Sequence, residues 1–375
     1  MVAEQLSRFK AYAIFNNNGH KNGFNLTAYA GNEIKNSIEI TNEPQFVFYN
    51  YDYKNFIETF NLKNNSPLNF EPCYSFKAEH EFDFNQLDLS CLNNKENSPS
   101  LNINATVSKE EYIKKVLHLK KHIQQGDIYE INFCITFEAN NAAINPFHIY
   151  KKLNAISKAP YSALVKLNDK FIICSSPELF LSKRGNKITT KPIKGTARRS
   201  PDALEDVKIK QELQNNLKER TENVMIVDVA RNDLSRIAKK DSVRVEKIYD
   251  IESFEQVHQM VSTVSCEIKD NISFEDIIKA AFPMASMTGA PKIRAMQMID
   301  EFEHYNRGPF SGSIGYINKN GDFDLNVLIR SIFYNQTEKY LSFSVGSAIT
   351  HLCDPEKEYD ECMLKAAALI KTLQD

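Results

Sequence analysis

The sequence predicts an α+β protein built mostly of antiparallel sheets. Candidate strands come in runs, with long helices between the runs and at the end, which is not the strict alternation of a doubly wound sheet. Asn320-Gly321 sits between GSIGYINK and DFDLNVLIRSI, a hairpin signal that makes its two strands antiparallel. IYEINFCITF alternates along a strand, with Tyr129, Ile131, Phe133, Ile135 and Phe137 on one face and Glu130, Asn132, Cys134 and Thr136 on the other.

Taken in order, Asn16 to Gly23 (NNNGHKNG) is a turn cluster without an apolar residue. Cys91 to Val107 is polar and asparagine-rich, and is read as the break between a short N-terminal region (1–100) that packs on the core and a main domain over 108–375. Ser108-x-x-Glu111 is a capping box that opens a helix through about Gln125, and Gly126 ends it. Strands are expected at 161–167, 170–176, 187–191 and 256–266. Helices are expected to start at Ser200-Pro201 and at Asp354-Pro355, each an N-cap residue followed by proline at the first helical position.

Composition removes several classes of function. The chain has 375 residues, room for about two ordinary domains or one large one. Its 46 lysines and arginines nearly cancel 48 aspartates and glutamates, and a net charge of −2 argues against a nucleic-acid binder. No apolar run approaches the ~20 residues that span a bilayer, and MVAEQLSRFK has no apolar stretch to serve as a signal peptide. Seven cysteines without a C-x-x-C pair read as reduced thiols, so the expectation is a cytoplasmic protein with no membrane partner.

The short motifs for phosphate loops, dinucleotide folds, serine hydrolases and zinc proteases are absent. His118 and His122, four apart on a helix among lysines, read as a solvated face and not as metal ligands. Glu219 and Glu222, and again Glu358 and Glu361, stand at i and i+3, so each pair leaves one helical face. Taken alone such pairs read first as solvated helix charges. Were all four to converge, they would need a cation, and oxygen-only ligands suit Mg²⁺. Glu178 follows a strand and a proline, and Lys194 precedes Gly-Thr; by spacing alone a lysine on a turn is the plainer reading.

Nine segments together carry more than their spacing. GDIYEIN, SSPELFL, KPIKGTARR, ENVMIVDVARNDLSRIA, VHQMVSTV, FPMASMTGAPKIRAM, RGPFSGSIGYI, DFDLNVLIRS and EKEYDECMLKA follow one another over about 108–375. In that order they resemble the chorismate-utilising enzymes, a family of anthranilate, aminodeoxychorismate, isochorismate and salicylate synthases. The resemblance implies a four-layer α/β/β/α sandwich. It implies Mg²⁺ bound directly by Glu222 and Glu361, and through water by Glu219 and Glu358. It implies that Arg330, Lys365, Gly346 and the Gly195-Thr196 segment hold the substrate's carboxylates, that Glu178 is the general acid at the departing C4 hydroxyl, and that His258 lies beside the ring to transfer a proton or position substrate.

Lys194 separates the family members. Alanine stands at this position in anthranilate, isochorismate and salicylate synthases, whereas P-I-K-G-T resembles the aminodeoxychorismate synthase pattern. The implied reaction joins chorismate and ammonia into 4-amino-4-deoxychorismate by two allylic displacements through Lys194, whose pKa is then expected to fall below the ordinary lysine value. Anthranilate synthesis is the alternative, ahead of isochorismate or salicylate synthesis or a non-catalytic chorismate binder. Glu130 departs both from the lysine of the water-using members and from the glutamine usual in aminodeoxychorismate synthases. Met284-Ala285 replaces two family glycines, Phe310 a tyrosine and Gly346-Ser347-Ala348 a glycine triplet. No G-x-C-x-G nucleophile is present, so ammonia is expected from solution or from a separate glutamine amidotransferase subunit.

Overall fold

The computed structural model describes residues 2–60, 66–83, 101–255, 257–303 and 305–374. The N-terminal part contains α1 (Val2–Ser7), β1 (Ala11–Asn16), β2 (Thr27–Gly31), β3 (Gln45–Tyr49), α2 (Lys54–Ile57), β4 (Cys73–Lys77) and β5 (His80–Asp83). Most of the expected polar break falls in residues 84–100, outside the described ones. Beyond it come β6 (Asn104–Ala105), α3 (Lys109–Gln125), β7 (Glu130–Ala139), α4 (Pro146–Ile156), β8 (Tyr161–Leu167), β9 (Lys170–Ser176), β10 (Leu179–Arg184), β11 (Lys187–Lys191) and β12 (Ile193–Arg198). The rest is α5 (Ala203–Asn215), α6 (Leu217–Ser235), β13 (Arg244–Ser253), β14 (Val257–Glu267), α7 (Phe274–Ala281), β15 (Gly289–Ala290), α8 (Lys292–Phe302), β16 (Ser313–Ile317), β17 (Phe323–Asn326), β18 (Ser331–Asn335), β19 (Tyr340–Ile349) and α9 (Pro355–Gln374).

These strands make two sheets in which the described pairs are antiparallel. One runs β15-β7-β19-β18-β9-β8-β1-β2-β5, with β6 on β7; the other runs β12-β14-β11-β10-β17-β16-β3-β4, with β13 on β14. Residues 11–83 therefore supply strands to both sheets. Burial explains the layers. On β1, Ala11, Ala13 and Phe15 face the core between the sheets, while Tyr12 and Ile14 face the helices outside the first sheet. Those helices are α3, α4, α8 and α9, and α6 and α7 cover the second sheet with Ile226, Val227, Leu234, Ile277 and Ile278. The inter-sheet core includes Phe15 edge-on to Phe24, Tyr29 and Tyr316. Among the described residues no helix is long and apolar enough to cross a membrane.

The caps read from the sequence form at two of three sites. The Ser108 side chain accepts the Glu111 N–H, and Gly126 ends α3 at φ +85°. The Asp354 carboxylate accepts the Glu356 N–H and its carbonyl the Glu358 N–H, starting α9 at Pro355. The third start is displaced. Ser200-Pro201 lies ahead of α5, because Asp202 caps the Glu205 N–H while the Ser200 N–H is held by Asp206. The hairpin at Asn320-Gly321 forms, but with a five-residue connection, Asn318–Asp322, between β16 and β17; Gly321 takes φ +76°. β14 sits one residue later than expected.

On β7 the apolar face packs against the helices, except that Tyr129 lies before the strand and is 60% exposed. The polar face is not solvated. Glu130, Asn132 and Cys134 are buried and point into the space between the sheets.

Candidate active site

The polar face of β7 meets β12 of the other sheet at one point. Lys194 Nζ lies 2.5 Å from Glu130 Oε1, an ion pair that spans the two sheets. Both side chains are buried, Glu130 completely, and apart from this ion pair neither Glu130 oxygen has a hydrogen-bond partner. Simple alternation would put Lys194 on the face of exposed Thr196 and Arg198, but the register of β12 on β14 shifts between Ile193 and Thr196, and Lys194 is buried. Gly195 follows at φ +90°, a backbone conformation that favours glycine, and a Cβ there would stand 2.9 Å from Glu219 Oε2 on α6. Thr196 is exposed.

Glu178 stands just before β10, buried, with its carbonyl accepting the Val327 N–H. Burial pushes its carboxyl up to about 7, against the opposing pull of the Ser286 hydroxyl, the Lys194 ammonium, the Ile193 N–H and Arg330. Arg330 is half-buried at φ +50°; its pKa is lowered by burial, which the charge of Glu178 only partly offsets.

Lys194 corrects an expectation. Burial does favour the neutral amine, but the carboxylates of Glu130, Glu222 and Glu178 outweigh it, and its pKa stands above the ordinary lysine value. The strand register that aims Lys194 inward also aims it at anions. In this structure it is an ammonium.

The two glutamate pairs face each other near the N-terminal ends of α6 and α9. Lys218 Nζ lies 2.8 Å from Glu358 Oε1 and 3.8 Å from Glu222 Oε1, and its pKa rises because those two carboxylates outweigh its burial. Burial pushes Glu222 up to about 8, helped by Glu130 and Glu219 and opposed by Lys194 and Lys218. Glu219 is likewise raised by burial. Glu361 goes the other way, since the Lys365 ammonium at 2.6 Å more than offsets burial. Among the described residues no three acidic, histidine or cysteine side chains already stand together as a metal-binding group. The donors nevertheless suit Mg²⁺: they are oxygen only, Glu222 Oε1 is buried without a hydrogen-bond partner, and a lysine cation sits between two of them.

Lys365 also donates to the Gly346 carbonyl at 2.9 Å, tying α9 to β19. A Cβ on Gly346 would meet Asn132 Oδ1 at 2.5 Å and Cys134 Sγ at 2.6 Å, so this glycine of the altered triplet is required. Met284-Ala285 needs no glycine: Met284 has φ −63°, and Ala285 opens an ordinary 3-10 turn.

His258 on β14 is buried and held by two partners of its own. Its Nε2 lies 3.0 Å from Asp206 Oδ1 and its Nδ1 2.8 Å from Ser253 Oγ. Asp206 also accepts from Arg199 Nε and Nη2 and from the Ser200 N–H, and the Arg199 guanidinium holds its carboxyl far below the usual range. One aspartate thus joins the end of β12, the start of α5 and the buried histidine. Sequence reasoning missed Asp206 and Lys218. Lys218 stands four residues before Glu222, a spacing that could have shown it. Asp206 and His258 are far apart in sequence and only the fold pairs them.

Residues 15–371 match the chorismate binding enzyme family. Aminodeoxychorismate synthase component 1 of Bacillus subtilis is 37% identical over 270 residues, covering 72% of this chain and 57% of that protein. Anthranilate synthase component 1 of Acetivibrio thermocellus is 36% identical over 292 residues, 77% of this chain and 58% of that protein. The crystal structure of anthranilate synthase component I from Streptococcus pneumoniae has a TM-score of 0.77 at 23% identity, covering 96% of this chain and 92% of that one, a likeness of fold. The chain spans little more than half the length of the two curated relatives. Their nearly equal identities do not separate the two activities.

Proposed function

The chain belongs to the chorismate binding enzymes, and on that premise we propose that it aminates chorismate at C4, giving 4-amino-4-deoxychorismate with the enolpyruvyl group retained. The observation that carries this reading is Lys194, buried on β12 and aimed between the sheets 2.5 Å from Glu130. A lysine there can act as a nucleophile where an alanine cannot.

In the proposed reaction Nζ of neutral Lys194 bonds to C2 as the C4–O bond breaks, and Glu178 protonates the departing hydroxyl as water. Ammonia then bonds to C4, the C2–N bond breaks, and Lys194 leaves as the amine. The sum converts chorismate and ammonium to the aminated product and water. Arg330 and Lys365, with the Gly195-Thr196 backbone, would hold the carboxylates of the dianion, and His258 would position the ring. Mg²⁺, held directly by Glu222 and Glu361 and through water by Glu219 and Glu358, would supply positive charge at the ring carboxylate.

Anthranilate synthesis is the second reading, supported by the comparable likeness to those enzymes. Glu130 in place of a lysine base speaks against the water-using reactions. Incubation with chorismate, Mg²⁺ and ammonium, followed by mass identification of the product, separates the readings. Aminodeoxychorismate without pyruvate is expected; stoichiometric pyruvate with fluorescent anthranilate would overturn the proposal.

A further inference from the structure

The proposed nucleophile must be an amine, yet the structure holds Lys194 as an ammonium against Glu130. Its proton has to go somewhere before C2 can be attacked. Glu130 Oε1 is 2.5 Å away, and its side chain is completely buried without a regular hydrogen-bond partner on either oxygen. Other charged groups are near the pair: Glu219 and Glu222 on α6, Glu361 on α9, and Glu178 with Arg330 beside it. Of these, Glu130 is the group that the geometry places against Nζ.

We propose that Glu130 is the proton acceptor for Lys194, an acid–base pair spanning the two sheets. This rests on the amination reading above. The step moves one proton from Nζ to Oε1, turning ammonium and carboxylate into amine and carboxylic acid with no change in the charge of the pair. The Nζ lone pair then forms the bond to C2. When ammonia expels Lys194 from C2, the amine recovers the same proton from Glu130. No proton need be exchanged with solvent for the lysine to act, and the lysine stays reactive at a pH where an isolated ammonium would be inert.

The test compares the Mg²⁺-loaded full chain with its Glu130→Gln and Glu130→Asp variants. Glutamine keeps size and polarity but cannot take the proton, so Lys194 must release it to solvent. At a fixed concentration of free ammonia, the ratio of the Glu130→Gln rate to the wild-type rate should climb about tenfold per pH unit below the lysine pKa, because the neutral fraction does. Taking a ratio cancels the titration of Glu178, which both proteins share. Glu130→Asp should give a flatter ratio than glutamine. Competitive acetylation of Lys194 with acetic anhydride across pH, read by peptide mass, should show a lower midpoint in Glu130→Gln than in wild type. Amination whose ratio ignores pH, or an unmoved acetylation midpoint, overturns the pair while leaving the amination reading standing. A lowered midpoint in proteins that make no aminodeoxychorismate removes the amination reading, and this step with it.

Discussion

At the residue scale, Glu178 and Lys194 are both buried and both have raised pKa values, Glu178 through burial and Lys194 through the carboxylates that outweigh its burial. Glu178 is buried, and its pKa near 7 keeps a protonated fraction at neutral pH. A general acid must carry its proton, so the step it serves should be intact below pH 7 and weaken as pH rises past it, by about tenfold per unit well above the pKa. Glu178→Gln should lose about 10²–10⁴ in kcat and also lose that descending limb, measured with ammonia held constant. Unchanged turnover in the glutamine variant would remove Glu178 from the chemistry. Lys194 allows a sharper distinction. Lys194→Arg keeps the charge beside Glu130 but cannot serve as a nucleophile at accessible pH, so it should fail about as badly as Lys194→Ala. Chorismate should still bind to both, since Arg330 and Lys365 remain. A Lys194→Arg protein that aminates at a near-normal rate would end the covalent mechanism.

At the scale of elements, α6 and α9 bring four carboxylates together, of which Glu222 and Glu358 are buried. Glu222 has a folded pKa of about 8 against an ordinary 4.5. The sign follows from linkage: the folded state binds the extra proton, so its relative stability is highest below pH 4.5 and falls as pH rises toward 8. At pH 7.5 and without metal, Glu222→Gln should therefore raise the melting temperature. The gain is on the order of 2 kcal/mol, a few degrees for a chain of this size. The same substitution should abolish the stabilisation that Mg²⁺ gives the wild type, read by thermal unfolding with chelator and then with Mg²⁺. Equal Mg²⁺ responses in variant and wild type would exclude Glu222 as a ligand. Asp206 acts at this scale too, since it ties β12, α5 and β14 through Arg199, Ser200 and His258.

At the scale of the whole molecule, the site lies where an edge strand of one sheet meets a strand near the end of the other. β7 belongs to the first sheet and β12 ends the second, and the Glu130–Lys194 pair crosses between them. The aromatic cluster around Phe15 packs elsewhere in the same inter-sheet space and holds the sheets together. The 375 residues contain no G-x-C-x-G thiol nucleophile. The chain by itself should therefore turn over with ammonium at alkaline pH and not with glutamine, and adding a glutamine amidotransferase subunit should restore use of glutamine. Glutamine-dependent turnover by the pure chain would contradict the need for a separate subunit.

Local chemistry was enough to determine several elements of this protein. Ser108 and Gly126 bound α3, Asp354 starts α9, and β8, β9 and β11 occupy their expected residues, because caps and alternation act within a few residues. The α5 start failed for a tertiary reason: Asp206 takes the Ser200 N–H while also binding Arg199 and His258, and the cap moves to Asp202. The order of the nine segments was enough to establish the family. The environments of the site residues were not legible in the same way. Lys194 and Glu130 are 64 positions apart and on different sheets, so the charge that holds the lysine protonated exists only after β12 and β7 are brought face to face. The same holds for His258 and Asp206, and for Lys218 and Glu358. A pKa depends on burial and on charges within a few ångströms, and those distances are set by how the sheets and helices pack.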